Sequence, residues 1–285
     1  MPLALILSSY VAGSRVGGMA QALALAPFKI DPVVAPTVLF GRHPGWGPPG
    51  GGAVGAQTFR GVVEGVEANG LLALTDVLIT GYFASAEQVW IAAEAIDRAR
   101  EATRDPRAYG PRLTVIVDPI MGDADKGLYV KEEVAQAIAL DLVPRADILT
   151  PNVWELSQLT GLEADYPRDI AQIARTLDKP VLVTSVPVED DDQIGVLYVD
   201  RGASLLASHA RLPDIPRGTG DLMTALFGAA MVEGLAPHDA LYRAVQGVAE
   251  TAEACVVWKA FELPIVALGE RLARPTASVR IETLS

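Results

Sequence analysis

Cysteine is almost missing from this chain: Cys255 stands alone among 285 residues. That excludes an intrachain disulfide framework and any all-cysteine zinc site, and it suits a reducing cytoplasm. Histidine is scarce as well. His43, His209 and His238 are the three present, and no two have the i, i+4 spacing with which a helix offers paired imidazoles to a metal. Basic residues are in deficit, 23 Lys and Arg against 35 Asp and Glu, for a net charge of −12. A surface of that sign repels a phosphate backbone, so nucleic acid is not an expected partner, although a small local anion site remains compatible with it. Long apolar runs are lacking too. No stretch of 18 apolar residues predicts a membrane span, and Met1 to Leu7 has no basic flank and breaks at Ser8-Ser9, too soon for a signal peptide. This opening segment reads as a buried first strand. What the chain does have is 50% apolar residues, 26 Gly and 20 Pro, enough apolar material for a sizeable core and too much for a disordered chain.

Short apolar runs alternate with helical patterns. Strands are expected at Leu3–Leu7, Pro32–Leu39, Val77–Thr80, Leu113–Val117, Ile148–Leu149, Val181–Thr184 and Gly195–Val199. Thr114-Val115-Ile116-Val117 is apolar on both faces, as a parallel strand covered on both sides must be. Helices are expected at Gly18–Leu25, Ser85–Arg100, Lys131–Asp141, Val153–Thr160, Asp169–Leu177, Asp221–Glu233 and His238–Phe261. Within 85–100, Val89, Ala92, Ala93 and Ile96 recur at three- and four-residue spacing. The alternation implies an α/β fold, a doubly wound, mainly parallel sheet with helices on both faces and an internal first strand. Sites in such sheets lie at the C-terminal ends of strands. Residues 1–285 read as one domain. The Gly- and Pro-rich segment 41–55, which contains His43 and Trp46, interrupts the rhythm and reads as a mobile flap beside a pocket.

Three motifs carry chemistry. Gly218-Thr219-Gly220-Asp221 opens a helix. Glycines there let backbone amides converge, and the helix adds unpaired N–H groups and the positive end of its dipole, which together make a phosphate site. Asp221 in the first turn is placed to accept a hydroxyl proton, while the plainer reading is that Thr219 and Asp221 only cap the helix. Asp118-Pro119-Ile120-Met121-Gly122-Asp123 puts a carboxylate at a strand end, with Lys126 in a following polar loop at about 122–130 that is suited to closing over a nucleotide. Asn152 and Glu155, after Thr150-Pro151, share a face of a first helical turn. They suit a hydrated Mg²⁺ or, equally, a capping box. A Walker A loop is absent, and Gly13 to Gly18 has the wrong spacing for a dinucleotide fingerprint.

Taken together, these motifs resemble the ribokinase-like superfamily, whose pattern is Asn-X-X-Glu followed by Gly-X-Gly-Asp, and within it the pyridoxal kinases. The closer indicators are Ser8 and Gly13 around the end of the first strand, Thr37-Val38-Leu39-Phe40 ahead of His43 and Trp46-Gly47, Gly81-Tyr82-Phe83-Ala84-Ser85, and Asp118 through Asp123 continued by Lys126-Gly127-Leu128-Tyr129-Val130. The resemblance covers roughly residues 3–255. It implies ATP-dependent phosphorylation of the 5′-hydroxymethyl group of a B6 vitamer. Ser8 and Thr37 would hold the ring by hydrogen bonds and Tyr82 by packing, with His43 beside the substrate. Asp221 would be the base, and the amides of Gly218, Thr219 and Gly220 would receive the phosphoryl charge. Asp118 and Glu155, with Asn152, would organise Mg²⁺ through water, while Thr150, Thr184 and Lys126 would serve the nucleotide. A monovalent cation such as K⁺ and a homodimer are also implied.

The chain departs from that pattern at Ser9, where many relatives carry His, and at Arg42. Both border the ring pocket. Hydroxymethylpyrimidine or sugar kinases of the same fold, and a noncatalytic binding relative, are the competing readings. Outside the motifs, Cys255 is expected in the core and Glu189-Asp190-Asp191-Asp192 in a solvated loop. Trp90, Trp154 and Trp258 are expected to pack within the fold.

Overall fold

The computed structural model describes residues 1–284. The strands are β1 (Leu3–Val11), β2 (Asp31–Phe40), β3 (Gly51–Ala53), β4 (Val77–Thr80), β5 (Thr114–Val117), β6 (Gly122–Asp123), β7 (Gly127–Leu128), β8 (Ile148–Leu149), β9 (Val181–Val186), β10 (Gln193–Val199), β11 (Ser204–Ala210) and β12 (Arg280–Thr283). The α-helices are α1 (Gly17–Leu25), α2 (Ala56–Ala68), α3 (Leu71–Leu74), α4 (Ala86–Glu101), α5 (Glu132–Ala137), α6 (Val153–Thr160), α7 (Pro167–Arg175), α8 (Thr219–Val232), α9 (Pro237–Trp258) and α10 (Ile265–Leu268). Ten strands form one sheet in the order β12-β11-β10-β9-β8-β5-β4-β1-β2-β3, and β6 and β7 pair as a separate hairpin. The run from β9 through β2 is parallel, and β3, β10, β11 and β12 are antiparallel additions at the two edges. The first strand is internal, between β2 and β4.

Side-chain alternation divides the sheet between two cores. Leu5, Leu7, Leu78, Val115, Val117, Val181 and Val183 face a layer holding Phe59, Ile96, Val134, Leu156 and Ile170 from α2, α4, α5, α6 and α7. Ala4, Ile6, Ile79, Ile116, Ile148 and Leu182 face the other layer, with Ala20, Leu222, Phe227, Leu241 and Val245 from α1, α8 and α9. No helix among the described residues is long and apolar enough to cross a membrane.

Several elements differ from expectation. Helix α2 is unforeseen because Gly61 and Gly65 weaken its helical pattern, yet Phe59 and Val63 bury one face of it. Strand β11 interleaves Ser and His with its apolar residues and borders β12, and neither is evident from periodicity. The segment 41–55 is not a free loop: β3 pairs with β2 through Val38↔Ala53 and Phe40↔Gly51. Gly51 has φ +74°, and a Cβ there would lie 2.0 Å from the Leu39 carbonyl oxygen. The loop at 122–130 is likewise partly ordered as the β6–β7 hairpin. Trp90 and Trp258, expected to pack, are about half exposed, because each lies on the outer face of its helix. Trp154 does pack against the core, and Cys255 is buried in the second one.

Phe59 supplies the test of α2, being fully buried in a helix that no motif requires. Phe59→Ala should lower the unfolding free energy by about 3–5 kcal/mol in a denaturant titration. A loss below about 1 kcal/mol would mean that α2 is not part of the cooperative core.

Candidate active site

Along the strands, Ser8 shares the face of Ile6, Asp118 that of Ile116, Thr150 that of Ile148 and Thr184 that of Leu182. Four strands therefore deliver polar residues to the C-terminal rim of one sheet face, where the apolar layer under α1 and α8 runs out. Helix α8 closes this rim with its N-terminus. Its N-cap is Gly218 at φ +108°, and no side chain caps it. The reading of Thr219 and Asp221 as caps is thus excluded, and the first amides of α8 are free of the side-chain partner a capped helix would supply. Only glycine fits at 218, since a Cβ would sit 2.1 Å from the Arg15 carbonyl oxygen. The Arg15 backbone is itself fixed by Glu262, whose carboxylate accepts from Arg15 N at 2.8 Å and from Ser14 Oγ at 2.9 Å.

Asp221 is buried, with Oδ1 lacking any partner. Burial pushes its carboxyl up to about 6, against the lowering effect of a hydrogen bond from the Gly17 amide. Glu155 is raised to about 7, again mainly by burial, although the amides of Asn152, Met121 and Gly122 donate to it. Asp118 is pushed well above the usual carboxylate range by burial first, then by the charges of Glu155 and Asp221. Among the described residues, no lysine or arginine forms an ion pair with any of the three. Thr224, on α8, bonds to both Asp118 Oδ2 (3.1 Å) and Thr150 Oγ1 (3.0 Å). Tyr129 lies close enough that Glu155 and Asp118, after burial, raise its hydroxyl.

Asn152 and Glu155 form a complete capping box: Asn152 Oδ1 accepts from Glu155 N at 2.8 Å, and Glu155 Oε2 accepts from Asn152 N at 2.9 Å. Asn152 Nδ2 also donates to the Gly122 carbonyl at 2.9 Å. The Asn152 amide is therefore engaged at both ends by protein, which leaves it little to offer an ion directly. Among the described residues no three His, Cys, Asp or Glu side chains converge to grip a metal.

At the end of β1, Ser8 Oγ is fully buried without a partner. Gly81 makes room for it, since a Cβ there would lie 2.4 Å from that oxygen. Thr37 Oγ1 donates to the Tyr82 carbonyl at 2.7 Å, and burial raises the Tyr82 hydroxyl. Gln88, which the sequence reading passed over, is the tie here. Its Nε2 donates to the Thr37 and Val54 carbonyls, and its Oε1 accepts from Ala84 N. His43 Nδ1 accepts from Gly45 N at 3.0 Å. Burial and the nearby Arg217 and Lys126 lower its pKa, so the ring is neutral near pH 7. Lys126 is exposed on the β6–β7 hairpin. Thr184 sits beside Asn152 through an isolated bridge, its amide donating to the Pro151 carbonyl. Gln88, Thr224 and Glu262 left no local signal, because each acts on partners far away in the chain.

An uncapped helix N-terminus beside a buried carboxylate, at the strand ends of a parallel sheet, can receive a phosphate group and a proton side by side. The comparisons agree. The phosphomethylpyrimidine kinase family model matches residues 76–264. A pyridoxine/pyridoxal/pyridoxamine kinase of Bordetella avium is 37% identical over 232 residues, 79% of this chain and 76% of that protein. A pyridoxal kinase of Corynebacterium diphtheriae is 29% identical over 287 residues, 99% of each. The structure of the Leishmania donovani pyridoxal kinase with ADP and pyridoxamine superposes with a TM-score of 0.87 at 25% identity, covering 100% of both chains. This chain belongs to the pyridoxal kinase family.

Two outcomes follow from the site alone. Gly218→Ala should cost about 1–3 kcal/mol of stability, from the positive φ and the Arg15 contact together, measured by denaturant midpoint; an unchanged midpoint would mean that the turn is not as tight as described. The three raised carboxyls bind protons more tightly in the folded than in the unfolded chain. For Asp221 and Glu155 that contribution is therefore fully present below about pH 4 and lost as pH rises through about 6 to 7. With nothing bound, Glu155→Gln should flatten the fall of the melting temperature between pH 5 and 8, and an unflattened curve would contradict the assignment.

Proposed function

We propose that the chain transfers the γ-phosphoryl group of ATP to the 5′-hydroxymethyl group of pyridoxal, pyridoxine or pyridoxamine. The observation that carries this reading is the pairing of Asp221, buried with Oδ1 unpartnered, and the uncapped start of α8. In this reading Asp221 accepts the alcohol proton as the oxygen attacks phosphorus. The new O–P bond forms in line with the breaking bond to the β-phosphate, and ADP leaves. The amides of Gly218, Thr219 and Gly220 take up charge on the transferring group, and the rate comes from placement and charge stabilisation. Ser8 and Thr37 bind the ring, Tyr82 packs against it and His43 lies over it from 41–55. Asp118, Thr150, Thr184 and Lys126 serve the nucleotide. The whole chain works as a single domain, with 41–55 and 122–130 as the movable covers.

Asp118, Glu155 and Asp221 are buried acids that form no ion pair with a lysine or arginine among the described residues, and hard oxygen donors of this kind fit Mg²⁺ held through water. When bound, Mg²⁺ neutralises phosphate charge. Asp118 and Glu155 are the residues that would hold its waters, with the Asn152 amide keeping Glu155 in place. A homodimer is supported by the exposed apolar side chains of Leu39 and Trp46 on and beside the flap, and a cytoplasmic location by the single unpaired cysteine.

The match to the phosphomethylpyrimidine kinase family model favours a second substrate, hydroxymethylpyrimidine. ATP consumption with the three B6 vitamers, hydroxymethylpyrimidine and ribose, with and without K⁺, ranks these acceptors. The proposal expects a B6 vitamer to lead by kcat/KM, and a lead for hydroxymethylpyrimidine or ribose would replace it. Asp221→Asn should lower kcat by about 10²–10⁴-fold while leaving the melting temperature and ADP affinity near wild type. Turnover within twofold of wild type would remove Asp221 as the base. In the wild type, kcat/KM should drop as pH falls through about 6, where Asp221 gains its proton.

A further inference from the structure

Threonine inside a helix ordinarily bonds its hydroxyl back to a carbonyl one turn earlier. Thr251 in α9 does so, to the Gly247 carbonyl at 2.7 Å, and Thr160 in α6 bonds the Leu156 carbonyl at 2.8 Å. Thr224 does not. It is 1% exposed in α8, and its hydroxyl reaches off the helix to Asp118 Oδ2 at 3.1 Å and Thr150 Oγ1 at 3.0 Å. Asp118 follows β5 and Thr150 follows β8, so a single hydroxyl joins two strand ends to a helix. It has one proton to give. When Asp118 is ionised it can only accept, and Thr224 then donates to it and accepts from Thr150.

Thr224 lies three residues after Asp221 and so shares its face of α8. The helix that carries the proposed base is thereby pinned to the carboxylate on the nucleotide side. We infer that Thr224 is a positioning residue, whose hydroxyl sets the distance between the alcohol-activating and nucleotide-binding halves of the site. This inference rests on the phosphotransfer reading above. A shift of about 1 Å between reacting groups costs on the order of 10²-fold in rate, so one hydrogen bond at this junction carries more weight than its net stability.

The test compares Thr224→Val, which keeps the shape and removes the hydroxyl, with Thr224→Ser, which keeps the hydroxyl and removes the methyl. ADP affinity is measured by calorimetry with Mg²⁺ and again with a chelator, beside kcat and KM for pyridoxal and the melting temperature. Thr224→Val should weaken ADP binding in Mg²⁺ about tenfold, as loss of a bond to a charged group does. It should lower kcat at least as much, and leave chelated ADP binding and the KM for pyridoxal within twofold. Thr224→Ser should stay within threefold of wild type in every measurement. If Thr224→Val fails to fold, Thr224→Ala takes its place with the same expected pattern. The inference is overturned if Thr224→Ser is as impaired as the hydroxyl-free variant, which would make the methyl the operative group. It is also overturned if the hydroxyl-free variant binds ADP in Mg²⁺ as wild type does. A wild-type enzyme inactive on every B6 vitamer would refute the substrate reading, while the ADP comparison would still decide the role of Thr224.

Discussion

Three carboxylates, Asp118, Glu155 and Asp221, are buried at one rim of the sheet, and among the described residues none of them is ion-paired with a lysine or arginine. Burying charge in this way is expensive unless it is paired. The fold meets the cost with what it has: backbone amides on Glu155 and one on Asp221, and the Thr224 hydroxyl on Asp118. That is incomplete. Burial favours the protonated form of these acids, and under the proposed function a cation arriving with the nucleotide would be their counterpart. Much of the surrounding structure can be read as what is needed to hold this set of acids together.

The parallel sheet supplies the rim, because its strands all end on the same side. Helices α1 and α8 start beside that rim. The Gly17 amide of α1 lies near enough to lower the Asp221 carboxyl against the effect of burial, and α8 begins at Gly218 without a side-chain cap. Positive backbone ends thus face the acids and, by the same token, an incoming phosphate. Glu262 brings the C-terminal region into this arrangement by fixing Arg15 against Gly218. Gln88 does the corresponding work on the ring side, where it joins β2, the base of the flap and the turn before α4.

Much of this was legible in the sequence for reasons that are local. β1, β4, β5 and β9 are continuous apolar runs, α4 has an apolar stripe, and Gly218 to Asp221 announces a helix start by its glycines. Elements with mixed signals were not legible. Gly61 and Gly65 hid α2, and its polar residues hid β11, the second strand from the edge, whose outer partner β12 is short. Half-exposed Trp90 and Trp258 show that an aromatic on a helix does not by itself identify the buried face. The positions least accessible from sequence were Thr224, Gln88 and Glu262. Thr224 meets Asp118 from 106 positions away and Glu262 meets Ser14 from 248, so only the folded topology brings them together. At Asn152 and Glu155 the motif suited either metal or cap, and the observed capping box shows that a cap is at least part of the answer.

Burial raises the carboxyls of Glu155 and Asp221 to about 7 and about 6, so under the proposed function a Mg²⁺-bound nucleotide would displace protons from them. Calorimetric titration of the protein with ADP already saturated with Mg²⁺, at pH 6.5 in buffers of different ionisation enthalpy, counts those protons directly. The account predicts net proton release on binding, diminished in Glu155→Gln. Binding with no release, or with proton uptake, would contradict it.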